Sequence, residues 1–260
     1  MVLIEEMESL SALISRINTS MVLGYILGFF WCLLHLLVSI MLVGSHLIQV
    51  LVYYVISSGF IQKYQNFQLH KLRYLAVVID SEDAKNTKQV QQLLQWLITI
   101  GVKYVTLYDM EGVLKKYLGG DSSSLNKSCS DADEKPVISI INQGNMTIEL
   151  LSFSDGKEAV AKASSFLCSN YLKGDAVGCN KIEPTFTESD ISAALKIVGY
   201  GGPDPDLLLV YGTARCHLGF PAWRIRYTEI VHMGPLKSMN YGAIVKAIYD
   251  FSKKHQNYGT

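Results

Sequence analysis

Pro205–Ile230 reads PDLLLVYGTARCHLGFPAWRIRYTEI. Its first half, Leu207–Val210, is a continuous apolar run of strand length, the pattern of a strand buried on both faces of a parallel sheet. A loop of small and polar residues follows. A block carrying Arg224, Arg226 and Glu229 comes next and is expected to be a second strand. In α/β proteins the loop after a core strand is where ligands bind. This loop nevertheless holds few groups able to do chemistry.

Outward from that stretch the rest of the chain falls into the same rhythm. Tyr74–Ile79 is another unbroken apolar run and ends in Asp80. From Lys88 to Ile100, Val90, Leu93, Leu94, Leu97 and Ile98 share one face at helical spacing, and Gly101 stops the helix. Val102–Tyr108 reads as a strand and Asp109–Leu118 as a short helix. Val137–Ile141 and Thr147–Phe153 read as strands around the break Asn142–Asn145. Ser154 or Asp155 can cap a helix running to about Tyr171. Thr187-Glu188-Ser189-Asp190 resembles a capping box, with Ile191, Ala194, Leu195 and Val198 on one side of its helix. A turn at Gly234-Pro235 leads to a last helix over Tyr241–Lys254. Alternation of strand and helix predicts an α/β domain with a mostly parallel sheet flanked by helices. Between its halves, Gly119–Pro136 is small and polar, the composition of a solvated surface insertion.

Ahead of this domain lies a different kind of sequence. Met21–Gly44 has no charged residue and is long enough to cross a bilayer core, which takes about 20 apolar residues. Leu47–Ile61 is a second apolar stretch, interrupted by polar residues. It is expected to be the end of a tilted span or a helix lying in the interface, with a two-span hairpin as the alternative. Glu5, Glu6 and Glu8 precede the apolar run, whereas Lys63, His70, Lys71 and Arg73 follow it. The positive-inside rule then leaves the C-terminal domain in the cytosol. The expected organisation is residues 1–20 as an N-terminal segment, 21–61 as membrane anchor, 62–73 as linker and 74–260 as the domain.

The 260 residues carry 23 Lys+Arg against 23 Asp+Glu, so no overall field favours nucleic acid. The 5 cysteines form no CxxC and no zinc-like spacing with histidine, the usage of reduced thiols in a cytosolic domain.

Asp204-Pro205-Asp206-Leu207-Leu208-Leu209 and Leu218–Ile230 carry a family resemblance. The sequence resembles the cis-prenyltransferase superfamily, the fold of undecaprenyl and dehydrodolichyl diphosphate synthases. More closely, it looks like the non-catalytic partner of those enzymes, the Nogo-B receptor family, in its plant form, which includes rubber transferase activators. The resemblance covers the whole chain. It implies an undecaprenyl-diphosphate-synthase-like fold with a six-stranded sheet, preceded by a transmembrane helix.

Departures from the catalytic pattern lie at the residues that grip diphosphates. Catalytic relatives follow the first strand with D-G-N-x-R-W. Here Asp80 matches, but Ser81-Glu82-Asp83-Ala84-Lys85 follows, placing acids where the family has phosphate donors. The R-T-S-G-E-x-R signature falls between Leu209 and His217. Its arginines land on Val210 and Cys216, its Ser on Gly212 and its Glu on Ala214, while Arg215 is one position off. Charge-assisted bonds worth about 1.5–3 kcal/mol each are thereby missing. Glu229 matches the family's metal-binding glutamate, and without a phosphate site beside it is expected to be a structural carboxylate paired with Arg224 or Arg226.

What the resemblance leaves intact is a subunit interface, Leu218, Gly219, Phe220, Trp223, Ile225, Arg226, Tyr227 and Glu229, with Phe220, Trp223 and Tyr227 as aromatic anchors. Core packing is the alternative for Trp223. In the family the C-terminal R-x-G enters the partner's active site; Asn257, Tyr258 and Gly259 stand there, with Asn in place of Arg. The implied protein is a membrane-anchored subunit of the endoplasmic reticulum with no catalytic residue or metal of its own. Its implied partner is a catalytic cis-prenyltransferase that binds Mg²⁺ and the isopentenyl and allylic diphosphates. Rival readings are a receptor or tether with no role in synthesis, and an autonomous prenyltransferase.

Overall fold

The computed structural model describes residues 2–64, 69–119, 139–174 and 185–254. The chain divides into two compact units, residues 1–55 and 56–260. The first is formed by helix α1, which runs without a break over Val2–Ser57. Within it, Met21–Ser57 is apolar enough to cross a membrane, and none of its most apolar window is buried in protein. The stretch 47–57 therefore continues the same helix, and no turn for a hairpin of two spans exists between Gly44 and Leu47. Its 37 residues amount to about 55 Å of helix, well beyond a hydrocarbon core of about 30 Å.

The second unit is built on one sheet. Its strands are β1 (Leu75–Ile79), β2 (Tyr104–Tyr108), β3 (Ser139–Gln143), β4 (Met146–Leu151), β5 (Leu207–Tyr211) and β6 (Glu229–Gly234). They lie in the order β3-β4-β2-β1-β5-β6, all parallel except β3, which runs antiparallel to β4 through the turn at Gly144. The mostly parallel six-stranded sheet is the one expected. Crossovers are made by helices α2 (Ser81–Ala84), α3 (Thr87–Ile100), α4 (Val113–Gly119), α5 (Lys157–Gly174) and α6 (Glu188–Ile197), and α7 (Tyr241–Lys253) closes the domain.

Period-two alternation sorts the strand residues. Leu75, Val77, Ile79, Val105, Leu107, Ile148, Leu207 and Leu209 face one side, where the apolar stripes of α3 and α7 bury them in the main core. Ala76, Val78, Tyr108, Leu151, Leu208 and Val210 face the other side, with Phe220. On that side α5 and α6 join through small residues, Ala159, Ala163 and Ala194, with Leu195 and Trp223 against them. The caps expected at Gly101 and Thr187 are present, whereas Ser154 and Asp155 lie in a 3-10 turn, Phe153–Asp155, capped by Ser152, and α5 starts only at Lys157. Asn86 accepts from the Gln89 amide at the start of α3, Gly101 ends it at φ 93°, and Thr187 with Asp190 forms a full capping box on α6.

Two further boundaries differ from expectation. Arg224 and Arg226 are not in a strand: Ala222–Arg224 is a single 3-10 turn, and the strand begins only at Glu229 and runs on to Gly234. Proline at 221 favours that turn, and Arg224 and Arg226 reach across to Glu149 of β4 and Glu188 of α6 instead of alternating across a sheet. The stretch 57–64, expected as anchor end and linker, belongs to the compact domain. Ile56 is buried, the Ser57 hydroxyl takes a hydrogen bond from the Gly242 amide, and the Tyr64 ring packs tilted against Tyr249 at 4.7 Å.

Candidate functional site

The order in which successive strands are laid down reverses between the parallel neighbours β1 and β5, so the crevice at their C-terminal ends is where this class of fold binds ligands. Asp80 and Gly212 are the first residues beyond those strands. Asp80 donates its backbone N–H to Tyr211 O at 2.9 Å, and its carboxylate accepts from the Glu82 amide, capping α2. Asp83 accepts the Leu236 amide at 2.9 Å, and Glu82 holds Lys85 at 2.7 Å. The fully buried Asp109 accepts the amides of Val113 and Leu114 at 2.7 and 2.9 Å, capping α4. Asp80, Glu82, Asp83 and Asp109 thus each hold a backbone amide or a lysine.

Leu218 closes over the crevice: a Cβ on Gly212 would lie 3.1 Å from the Leu218 Cδ1 and 3.8 Å from the Asp80 Cβ. Leu218 takes the left-handed conformation, φ 48°, the only non-glycine among the described residues to do so. In the loop between, Ala214, Arg215 and Cys216 are exposed, and the His232 ring nitrogen lies 2.9 Å from the Ala214 carbonyl. The Tyr108 hydroxyl is buried without a hydrogen-bond partner, and a Cβ on Gly219 would come within 3.0 Å of it.

The block after Leu218 is a clamp. Arg224 is buried, 6% exposed, and its guanidinium makes a bidentate pair with Glu149 of β4 at 3.0 and 2.8 Å. The same group donates to the Pro203 carbonyl at 2.6 Å, and Thr106 of β2 donates to Glu149 at 2.7 Å. Arg226 pairs with Glu188 and lies 3.7 Å from Asp204, its guanidinium 5.0 Å from the centre of the Trp223 ring. Burial raises the Asp204 carboxyl above its usual range, against the pull of Arg224. The Thr228 hydroxyl donates to the Pro205 carbonyl, and Asp206 accepts the amides of Arg73 and Tyr74. Both quoted motifs therefore fasten the start of β5 to its neighbours. A cleft of about 910 Å³ opens beside the clamp, between α5, α6 and Trp223, with Lys157, Lys196, Asp155 and Asp204 among the residues of its wall.

Glu229 does not pair with either arginine of its block, both of which are engaged elsewhere; it pairs with Lys254 at the end of α7. It also cannot share a metal with Asp80. Glu229 is level with Leu207 and Leu75, and Asp80 follows Ile79, so about 16 Å of strand separates them. Among the described residues no three His, Cys, Asp or Glu side chains converge in a metal-ligating group. The described residues thus offer no ready-made set of magnesium ligands.

Of the expected anchors, Phe220 is core: 1% exposed, it packs edge-on to Tyr108 at 5.5 Å. Trp223 is half-buried, its indole N–H donating to Ser192 at 3.3 Å. Leu218 and Ile225 pack against the same core, and Gly219 is at positive φ. Exposed apolar area in the block is left to Tyr227, and Ile230 follows it at the start of the edge strand β6. Asn257, Tyr258 and Gly259 lie outside the described residues. Sequence reasoning missed Glu149 and Thr106; a lone carboxylate in the otherwise apolar MTIELL was the available signal, because a charge on a core strand requires a partner.

The chain carrying this clamp has sequence relatives. Over 198 residues, 70% of this chain and 64% of the relative, it is 26% identical to the dehydrodolichyl diphosphate synthase complex subunit NUS1 of Homo sapiens. Over 240 residues, 83% of this chain and 87% of the relative, it is 25% identical to the subunit of the same name from Schizosaccharomyces pombe. The chain is a homologue of these complex subunits. Its match spans just under two thirds of the human relative's length. No protein-family profile matches it. The fold is shared with lavandulyl diphosphate synthase from Lavandula x intermedia, at a TM-score of 0.51 and 15% identity over 73% of this chain and 99% of that one. The expected prenyl-diphosphate-synthase-like architecture is therefore present.

Proposed function

We propose that this chain is the membrane-anchored, non-catalytic subunit of a heteromeric cis-prenyltransferase. One observation carries the reading: a prenyl diphosphate synthase fold in which carboxylates and Leu218 occupy the switch-point crevice, in a homologue of synthase-complex subunits. A diphosphate needs cationic or N–H donors at that point, and Asp80, Glu82 and Asp83 offer the wrong charge.

Catalysis then belongs to a partner subunit that holds Mg²⁺ and the isopentenyl and allylic diphosphates. The product is a long polyprenyl diphosphate, of the dehydrodolichyl type or, in latex plants, rubber. This chain supplies the anchor, α1, in the endoplasmic reticulum, with the domain cytosolic because Lys63, Lys71 and Arg73 follow the span. The partner is met at the β6 edge with Tyr227 and Ile230, the exposed part of the block, and the Asn257–Gly259 tail reaches the partner's site.

Co-expression with a catalytic subunit tests this. Membranes containing both chains should elongate farnesyl diphosphate with isopentenyl diphosphate, and membranes with either chain alone should not. Deleting Asn257–Thr260 should abolish most of that turnover while the two chains still co-purify. Robust synthesis by this chain alone would overturn the proposal. So would full synthesis by the partner in its absence.

A further inference from the structure

We propose that the segment following α1 and the end of α7 form one docking surface for anionic phospholipid headgroups, those of the membrane that α1 enters. Charge along the chain is the first observation. From Ser9 to Ile79 there is no Asp or Glu at all, although the chain as a whole is neutral. Folding then concentrates the cations of that acid-free stretch. Lys63 lies 5.3 Å from the centre of the Tyr249 ring, and Lys253, from the last turn of α7, lies 5.6 Å from the same ring. Tyr64 packs against Tyr249, and Lys71 donates to the Ser252 carbonyl at 2.9 Å. Lys254 sits beside them, paired with Glu229.

Position is the second observation. Lys63 is six residues beyond Ser57, where the apolar helix ends, so at most about 20 Å of chain separates it from the span. Phe60, between the two, is 84% exposed, an apolar side chain with no protein to cover it. Capping of the α7 C-terminus accounts for Lys71 and Lys254. It accounts neither for two ammonium groups on one ring nor for the exposed Phe60. Basic clusters directly beside a span are attracted to anionic lipid, and an aromatic side chain among them suits the interface. This surface would seat the domain against the bilayer, whatever reaction a partner runs. It rests on α1 being an anchor, not on the prenyltransferase reading.

The test is lysine acylation, read residue by residue by mass spectrometry, on the full chain in nanodiscs. One set of discs is phosphatidylcholine, and the other carries about a third phosphatidylserine. Lys63, Lys71 and Lys253 should react roughly fivefold more slowly in the anionic discs, with recovery in high salt. Lys85 and Lys162, which are ion-paired on other helices, should not change. The exposed variant pair Lys63→Gln and Lys253→Gln should lose most of the remaining protection at Lys71. Equal rates in the two kinds of disc would overturn the proposal. Equal protection by inorganic phosphate in phosphatidylcholine discs would also overturn it, showing a free-anion site in place of a lipid surface.

Discussion

Arg224 and Glu149 are 75 residues apart in sequence and joined by two parallel hydrogen bonds in a site where the arginine is almost wholly buried. The pair ties the loop after β5 to β4, three strands away in the sheet. Removing one partner leaves a buried charge unpaired, which costs about 3–5 kcal/mol. Arg224→Ala is therefore expected to lower the melting temperature steeply, and Glu149→Gln to do so less, because Thr106 keeps an acceptor. A paired apolar replacement, Arg224→Met with Glu149→Leu, should recover most of the loss. Thermal denaturation of the three variants checks the order.

Gly202 makes that pair possible. A Cβ there would stand 2.6 Å from the Glu149 Oε1 and 2.8 Å from the Arg224 guanidinium. Both atoms are held in a network that cannot yield without stretching its bonds. Gly202→Ala should cost about 1–3 kcal/mol, and in the Arg224→Met, Glu149→Leu background much less. A double-mutant comparison of melting curves measures the difference.

These contacts mark how far sequence reading reached. Strand runs such as YLAVVI and LLLV, the stripe from Val90 to Leu97 and the stop at Gly101 are local periodicities with local causes, and they placed the sheet. The run of carboxylates after β1, Asp80, Glu82 and Asp83, was also legible, because it rests on residue types alone. Three-dimensional pairing was not. Glu229 has two arginines within five residues, yet a lysine 25 residues on wins, because β6 and the end of α7 meet only after folding. Phe220 read as a surface anchor since aromatic residues suit interfaces and cores alike; burial against Tyr108 decided between them.

Tyr108 carries a pH signature. Its hydroxyl is buried without a partner, and burial, reinforced by the charges of Asp109 and Asp155, pushes its phenol up to about 12. An unfolded tyrosine titrates near about 10. Between those values the unfolded chain has lost a proton that the folded one keeps, so stability falls as pH rises from about 10 through 12. Tyr108→Phe removes both the stranded hydroxyl and this dependence. It should raise stability near neutral pH by about 1 kcal/mol and flatten the alkaline limb of the stability curve. Denaturant unfolding at successive pH values checks both effects; an unchanged alkaline limb would assign that limb elsewhere, with Tyr211, also raised by burial, the next candidate.

Glu229 separates a structural carboxylate from a metal ligand. Its ion pair with Lys254 is partly exposed, the lysine by 58%, so its loss is worth about 0–1 kcal/mol. The sheet register holds it about 16 Å along the strands from Asp80, too far for one ion to bind both. Glu229→Gln should therefore melt within a few degrees of the parent chain. In the assembled synthase it should leave the magnesium concentration for half-maximal activity unchanged. A ligand lost from the metal would instead move that midpoint upward by tenfold or more. Lys254→Glu serves as the control, since it breaks the same ion pair without touching the carboxylate. If the two variants shift the magnesium midpoint differently, Glu229 acts on the metal and not on the end of α7.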